Sequence, residues 1–246
     1  IYKEEFELVY QPKICLENNE IAGFESLVRW NHPVRGLLMP NEFIEIAERT
    51  RLINLIGDWV LRASCLQNRE LQRVSSRELT MAVNLSPVQF SQPDLAEKII
   101  SIVDETGMNP HNLELELTES CLMENMELTH QTLSKLQAHG ILISIDDFGQ
   151  GYSSLSYLKR LPFDKLKIDR SFIKNCSYSQ PALLAETVIS LAQKLNLETI
   201  AEGVERVEQA EYLESLGCDE VQGFLYNKPL RLTELSDTLF IQTQQG

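Results

Sequence analysis

The sequence predicts a single α/β domain built as a barrel of parallel strands covered by helices. Apolar strand-like runs rich in Val, Ile and Leu alternate with longer stretches of helical period. The alternation repeats every ~25–35 residues, which is typical of parallel βα units. No Gly-rich dinucleotide fingerprint accompanies these units, so a barrel is favoured over an open nucleotide-binding sheet.

The first half of the chain opens with a predicted pair of neighbouring strands. The runs FELVYQP and IAGFESLVRW are separated by the polar turn at 17–20. Amphipathic spacing then predicts one helix after Pro40 and a second from about Leu55 to Gln72. LTMAVNLS is a predicted strand, and a helix from Pro93 to Thr106 is expected to stop at Gly107.

The second half continues the alternation. Four further strands are predicted in LELELTE, ILISIDD, DKLKID and LETIAEG, and a last one in DEVQGF. Helices are predicted between them at about 127–139, 154–160, 181–195 and 207–216. The apolar character of ILISI and DKLKI is typical of strands covered by helices. The C-terminal DTLFIQTQQG is expected to fray or to continue into a linker.

Size and charge limit the classes of function. The 246 residues and 28.1 kDa suit one barrel of ~250 residues, so the whole chain is expected to form a single domain. The net charge of −14 disfavours binding to a polymeric nucleic acid, but it permits a small phosphodiester if metal ions lie between substrate and protein. The mean hydropathy of −0.18, without a long apolar stretch, predicts no membrane contact.

The beginning of the chain and its cysteines point to the cellular setting. The chain starts at Ile1 without an initiator Met or a signal-peptide pattern, so we expect a domain excised from a larger multidomain protein. The five cysteines are odd in number and scattered, which predicts reduced thiols in the cytoplasm. The four histidines show no zinc-binding spacing.

Oxygen-bearing side chains recur where the predicted strands end. They are Glu25, Asn84, Glu116, Asp146, Asp147, Glu202 and Gln222, and Lys167 lies within a similar run. One acid at a strand end carries little information, because caps and turns also favour acids. If the strands are parallel, however, their ends converge at one rim. The repetition therefore predicts an acidic cup suited to divalent metal ions and a phosphate substrate.

Each of these residues also has a structural interpretation. Asp146 and Asp147 are either metal ligands or a cap that leads into the next helix. Asn84 is a neutral oxygen ligand or part of an Asx turn. Within ELTE one of Glu116 and Glu119 can be a ligand while the other starts a helix or braces a loop, and Glu205 can cap the following helix. A lysine facing a barrel interior is costly without carboxylate or phosphate partners, so Lys167 is expected to lie near the acids.

Together these residues fit hydrolysis of a phosphodiester by two metal ions. Two cations about 3.5–4 Å apart, held by oxygen ligands, would polarise the phosphoryl group and activate a water. A lysine beside that water would orient it and help remove its proton. Since zinc spacing is absent, Mg²⁺ or Mn²⁺ is preferred.

Eight short motifs follow one another along the chain from about Phe6 to Leu230. They are YQP at 10–12, ESLVRW at 25–30, NLS at 84–86, ELTE at 116–119, DDFGQGYSSLSYL at 146–158, KIDR at 167–170, AEGVE at 201–205 and QGFLYNKPL at 222–230. With these motifs in this order, the chain resembles the EAL domain family, bacterial phosphodiesterases of cyclic di-GMP.

This resemblance implies a modified TIM (β/α)8 barrel with one antiparallel strand, and the linear dinucleotide pGpG as product. It implies metal ligation by Glu25, Asn84, Glu116, Asp146, Asp147 and Glu202, with Ca²⁺ binding but inhibiting. Lys167 would act on the attacking water, and Glu205 and Gln222 would complete the polar shell. It assigns substrate contacts to Gln11, Leu27, Arg29, Asp147, Gln222 and Pro229. Glu119 would steady the loop at 147–154, which the family uses to couple dimerisation to metal binding.

Two positions depart from the family pattern. Ser26 replaces the alanine of the name-giving motif, and little effect is expected because Glu25 remains. Gln150 stands where a smaller residue is usual, which bears on loop dynamics and rate. Further expectations are a homodimer and sensor or GGDEF-type domains in the parent chain.

Three alternatives to a domain that acts mainly as a cyclic di-GMP phosphodiesterase remain. The first is an inactive cyclic di-GMP receptor, which usually lacks a metal ligand or the lysine. The second is a domain that mainly regulates its neighbours. The third is a barrel enzyme acting on another phosphate ester. Because every expected ligand is present, the active enzyme is favoured.

Overall fold

The computed structural model describes residues 5–122, 126–148, 155–174, 176 and 182–235. Its strands are β1 Phe6–Cys15, β2 Glu20–His32, β3 Gly36–Leu38, β4 Thr80–Leu85, β5 Leu113–Thr118, β6 Leu142–Phe148, β7 Lys165–Ile168, β8 Glu198–Glu202 and β9 Glu220–Gln222. Its helices are α1 Pro40–Arg49, α2 Ile53–Val74, α3 Pro87–Phe90, α4 Leu95–Thr106, α5 Met126–Ala138, α6 Leu155–Arg160, α7 Arg170–Ile173, α8 Leu183–Leu195 and α9 Val207–Ser215. Short 3₁₀ turns occupy Pro110–Asn112 and Glu119–Leu122.

Eight of the described strands close into a barrel. The sheet order is β1-β9-β8-β7-β6-β5-β4-β2, and pairing of β1 with β2 closes the ring. β3 is not part of the ring and pairs antiparallel with the end of β2, at 30–32. β1 runs antiparallel to both of its neighbours, and the other barrel pairs are parallel. The predicted modified TIM barrel with one antiparallel strand is therefore confirmed.

β5 shows how the layers of the barrel form. Its sequence LELELT alternates leucine with glutamate, so the two residue types face opposite sides of the strand. Leu113, Leu115 and Leu117 are fully buried in the apolar core. Glu114 and Glu116 are buried too, on the side that faces the barrel interior, where they meet buried lysines. The interior of this barrel is therefore polar, and the apolar core lies outside the strands.

The observed elements follow the predicted ones with shifts at the ends. α4 begins at Leu95 and not at Pro93, and Gly107 ends it with φ +67°, as expected of a left-handed cap. Three short elements were not predicted, namely β3, α3 and α7. Each has three or four residues, which is too short for a periodic pattern to show. The predicted frayed C-terminus at 237–246 lies outside the described residues.

Two further expectations concern the whole chain. All five cysteines are free thiols. Within the described ranges, no helix is both long enough and apolar enough to cross a membrane.

Candidate active site at the carboxyl ends of the strands

The predicted site residues converge at one end of the barrel. A cavity of about 330 Å³ opens there, and eight of them line it, namely Gln11, Glu25, Leu27, Asp146, Lys167, Glu202, Glu205 and Gln222. A second cavity of about 370 Å³ shares Leu27 with the first and is also lined by Asn84. The parallel strands thus bring together side chains that lie far apart in the sequence.

Lys167 stands at the centre of the acidic cluster. Its Nζ lies 2.6 Å from Glu116 Oε2, 2.7 Å from Glu202 Oε1 and 3.3 Å from Asp146 Oδ1. The lysine is 1% exposed, so its charge depends on these partners and not on water. The expected position of Lys167 beside the acids is observed.

Glu25 is held by two amides from other strands. Asn84 Nδ2 donates to Glu25 Oε1 at 2.7 Å, and Gln222 Nε2 donates to Glu25 Oε2 at 2.6 Å. Gln222 Nε2 also lies 3.2 Å from Gln11 Oε1. Both carboxylate oxygens of Glu25 are therefore oriented before any ligand binds.

The pKa values in the cluster move in opposite directions. Burial opposes ionisation of Glu25, but the charge of Lys167 and the two amide hydrogen bonds outweigh it and lower its pKa. Burial raises the pKa of Glu202 to about 7 and that of Glu116 well above its ordinary value, against the lowering effect of Lys167. For Lys167, burial favours the neutral amine, yet the surrounding carboxylates raise its pKa and keep it an ammonium.

Asp146 and Asp147 separate at the end of β6. Asp146 turns toward Lys167, while Asp147 has the left-handed φ of +55° and donates its backbone N–H to Asp146 Oδ1 at 2.9 Å. This φ is strained for a residue with a side chain. Burial and the adjacent charge of Asp146 raise the pKa of Asp147, and the charge of Glu119 adds to this effect. Glu119 begins the 3₁₀ turn after β5, but the loop at 149–154, including Gln150, lies outside the described residues.

The predicted substrate-contacting residues lie around the same rim. Gln11 donates to the Asn227 carbonyl at 3.2 Å. Leu230 forms an isolated antiparallel bridge with Tyr10, which brings Pro229 beside β1. Arg29 is 9% exposed and donates to the Val28 carbonyl at 2.9 Å. Among the described residues it forms no ion pair with the carboxylate cluster.

The position of Glu205 depends on helix α9 and on the packing between the loops that follow β8 and β9. Its backbone N–H donates to Gln209 Oε1 at 2.9 Å, so the helix α9 orients the residue. Val204 N donates to the Gln222 carbonyl at 3.1 Å, and a Cβ at Gly223 would overlap the carbonyl of Val204. Glycine is therefore needed at 223 for the loops after β8 and β9 to approach each other.

Besides Gly203 and Gly223, two cavity-lining residues were not assigned a role from the sequence. They are Arg170, at the start of α7, and Phe224, whose side chain is 56% exposed. Both belong to recognised motifs, KIDR and QGFLYNKPL, and membership in those motifs is the signal that could have identified them.

The polar groups at this end of the barrel are the carboxylate and amide oxygens of the site and one ammonium, that of Lys167. Within the described ranges, no group of three or more His, Cys, Asp or Glu side chains stands in an arrangement that could hold a metal ion. Glu116 Oε1 is buried and has no hydrogen-bond partner among the described residues. An acceptor of this kind is costly to leave unsatisfied, and a cation would satisfy it.

Comparison with known proteins places this geometry in a family. A family model described as the EAL domain matches residues 1–229. The cyclic di-GMP phosphodiesterase NbdA of Pseudomonas aeruginosa is 42% identical over 237 residues, which are 96% of this chain and 30% of NbdA. More generally, the chain spans 27–34% of the length of the first curated relatives that it matches.

Solved structures agree with the sequence comparison. A cyclic di-GMP complex of the PaMucR phosphodiesterase matches with a TM-score of 0.90 and 42% identity, covering 95% of both chains. Klebsiella pneumoniae BlrP1 in a complex with manganese and cyclic di-GMP matches with a TM-score of 0.78 and 26% identity, covering 94% of this chain and 57% of that one.

Proposed function

The chain belongs to the EAL domain family, and on that premise we propose that it hydrolyses cyclic di-GMP to linear pGpG with the help of divalent metal ions. The observation that supports this most is the convergence of Glu116, Asp146 and Glu202 on Lys167, beside a Glu25 oriented by two amides. This arrangement joins a proton-transferring group to a set of hard oxygen donors.

The oxygen donors of the site are of the type that divalent ions prefer, although the acids would have to move from their present positions to hold two ions. Lys167 lies among four acidic side chains, those of Glu25, Glu116, Asp146 and Glu202, and forms ion pairs with the last three, so acidic groups outnumber the lysine in the cluster. The residues that would hold the ions are Glu25, Asn84, Glu116, Asp146, Asp147 and Glu202, and Glu116 Oε1, which accepts no hydrogen bond among the described residues, is one available donor. When bound, Mg²⁺ or Mn²⁺ polarises the phosphoryl oxygens and lowers the pKa of a water. The manganese in the BlrP1 complex supports this choice of metal.

We propose that Lys167 accepts a proton from the attacking water. In the structure the carboxylates hold it as an ammonium. If bound divalent ions offset the charge of those carboxylates, burial would favour the neutral amine of Lys167, which would then accept a proton from the attacking water. The water oxygen then bonds to phosphorus, the bond from phosphorus to the 3′ oxygen breaks, and that oxygen takes up a proton. Glu205 and Gln222 complete the polar shell around this reaction.

The shape of the site suits a substrate with two large halves. The two cavities, of about 330 and 370 Å³, both have Leu27 in their lining. Arg29 would pair with a phosphate if it exchanged its bond to the Val28 carbonyl for a charged partner, which forms stronger hydrogen bonds. Gln11 and Gln222 line the first cavity, and Pro229 precedes Leu230, which pairs with Tyr10; these residues and Asp147 would contact the dinucleotide.

We also place the chain in a larger cytoplasmic signalling protein, as a single EAL domain that works as a homodimer. The short span of the chain relative to its curated relatives supports additional domains in the parent, of the sensor or GGDEF type. The proximity of Glu119 to Asp147 supports a role for Glu119 in steadying the loop that follows β6.

The direct test is to incubate the purified chain with cyclic di-GMP and either Mg²⁺ or Mn²⁺ and to separate the nucleotides. Release of pGpG supports the proposal, and its dependence on added metal is checked with a chelator. Lys167→Met serves as the matched inactive control, and Lys159→Met as the control for an exposed lysine on α6. Tight binding of cyclic di-GMP without conversion would instead identify a receptor.

A further inference from the structure

A second layer of charged side chains lies beneath the candidate site, inside the barrel. Each member is two residues along a strand from a residue of the site, so both side chains point to the same face. This floor layer consists of Lys13 beneath Gln11, Glu114 beneath Glu116, Lys165 beneath Lys167 and Glu220 beneath Gln222. All four residues are at least nine-tenths buried.

The floor layer is electrically balanced, whereas the site above it is not. Lys13 Nζ lies 2.6 Å from Glu114 Oε2, and Lys165 Nζ lies 2.6 Å from Glu220 Oε1. Lys165 also approaches Glu114 at 3.8 Å and the exposed Glu198 at 3.2 Å. Two buried ammonium groups therefore meet two buried carboxylates.

Lys13 connects the two layers. Its Nζ lies 3.9 Å from Glu116 Oε1, the buried oxygen that has no hydrogen-bond partner in the described structure. The other oxygen of Glu116 binds Lys167 at 2.6 Å. The Glu116 carboxylate is thus held between an ammonium above and an ammonium below. For Lys165, no ion pair with Glu116 is present among the described residues.

Stability alone does not account for the pair of Lys13 and Glu114. Replacing a fully buried ion pair by well-packed apolar residues is often neutral or stabilising, because both charges lose their hydration. The pair therefore calls for another role, and its position under Glu116 supplies one. Partners that orient a metal-ligating carboxylate contribute to metal affinity although they do not touch the metal.

We propose that Lys13 is a positioning residue, held in place by Glu114, whose ammonium orients Glu116 for divalent metal binding. The inference rests on the proposed function, since it assumes that Glu116 is a metal ligand. Removing an outer partner of a ligand typically weakens metal binding about 10- to 100-fold, and that is the loss expected here.

Two double variants separate this role from a structural one. Lys13→Met with Glu114→Gln removes the pair under Glu116, and Lys165→Met with Glu220→Gln removes the neighbouring pair in the same layer. Each change deletes one buried ion pair with a 2.6 Å contact and leaves the net charge unchanged. Binding of Mn²⁺ to the metal-free chain, without nucleotide, is measured from the electron paramagnetic resonance signal of free Mn²⁺. The first variant should bind Mn²⁺ about 10- to 100-fold more weakly, and the second should bind it like the unmodified chain.

Measurements of folding and of turnover separate a loss of metal binding from a loss of structure. Circular dichroism melting curves show whether each variant is folded, and the turnover rate of the first variant should recover at saturating Mn²⁺. If that variant does not fold, Lys13→Gln with Glu114→Gln retains polar side chains without the charges and must show the same weaker binding. Unchanged Mn²⁺ binding in the first variant, or equal weakening in both, overturns the role of Lys13. An unmodified chain that binds Mn²⁺ but does not convert cyclic di-GMP overturns the proposed function alone, and one that binds no Mn²⁺ overturns both.

Discussion

Gln222 Nε2 donates to Glu25 Oε2 across 2.6 Å, although the two residues are 197 positions apart in the chain. β9 and β2 do not pair directly, because β1 lies between them in the barrel. The contact thus depends on closure of the whole ring. It leaves Glu25 oriented and ionised, as a metal ligand must be.

Glu25→Gln should abolish turnover while the protein stays folded. The substitution keeps the shape of the side chain but removes a charged donor from the proposed metal site. The rate should fall by more than the roughly 100-fold that loss of an outer-shell partner costs. Steady-state release of pGpG measures this, with the exposed Glu45→Gln on α1 as the control. A Glu25→Gln rate equal to that of the control would remove Glu25 from the ligand set.

Lys167→Met should lower kcat far more than it raises KM. The variant keeps the length of the side chain but cannot transfer a proton, and such groups contribute about 10²–10⁴-fold to rate. Full kinetic curves at saturating Mn²⁺ separate the two parameters. A raised KM at an unchanged kcat would assign Lys167 to substrate contact.

Ca²⁺ should bind to the chain and support little turnover. Its coordination is longer and less rigid than that of Mg²⁺ or Mn²⁺, so the attacking water would be misplaced. Competition by Ca²⁺ against Mn²⁺, followed both by binding and by product release, tests the point. Similar rates with Ca²⁺ and Mg²⁺ would contradict a mechanism that depends on tight metal geometry.

The stability of the metal-free chain should decrease as pH rises from about 4.5 to about 7, through the contribution of Glu202. Burial raises its pKa from 4.5 to about 7, so in this window the folded state holds a proton that the unfolded state has released. The unfolded state therefore binds fewer protons, and the free energy of unfolding falls with pH, by at most about 3 kcal/mol.

Glu202→Gln isolates this contribution, because a glutamine at that position does not titrate. Urea unfolding of the metal-free chain at pH 5 and pH 7.5 should show a smaller loss of stability in the variant than in the unmodified protein. Equal losses in both proteins would show that Glu202 does not titrate in this window.

Much of the fold was predictable because its elements are local patterns. The helix α2 has 22 residues and several amphipathic turns, and the hairpin of β1 and β2 is marked by a polar turn. Short elements such as α7, with four residues, do not repeat the helical period of about 3.6 residues. The side chain of Asp169 accepts from Ser171 N at 2.9 Å, and this cap was a signal in the sequence that was not used.

The site was predictable as a set of residues and not as a set of contacts. The expectation that Asn84 serves as an oxygen ligand remains a proposal, and in the structure it donates its amide to Glu25. The floor layer was missed altogether. LELELT and DKLKID show charged residues at every second position, but a pair such as Lys13 and Glu114 joins strands 101 residues apart.

The amino-acid sequence by itself determined the succession of strands and helices and placed acids at the strand ends, because these features depend on neighbours within a few turns of chain. Tertiary structure alone decided which groups meet. Closure of the ring through β1 and β2 aligns the strand ends, so Lys167 lies among three carboxylates and Glu25 lies between two amides. Buried charges are destabilising unless they are paired. The partners of these charges lie on different strands, so the pairs form only when the sheet closes into a barrel.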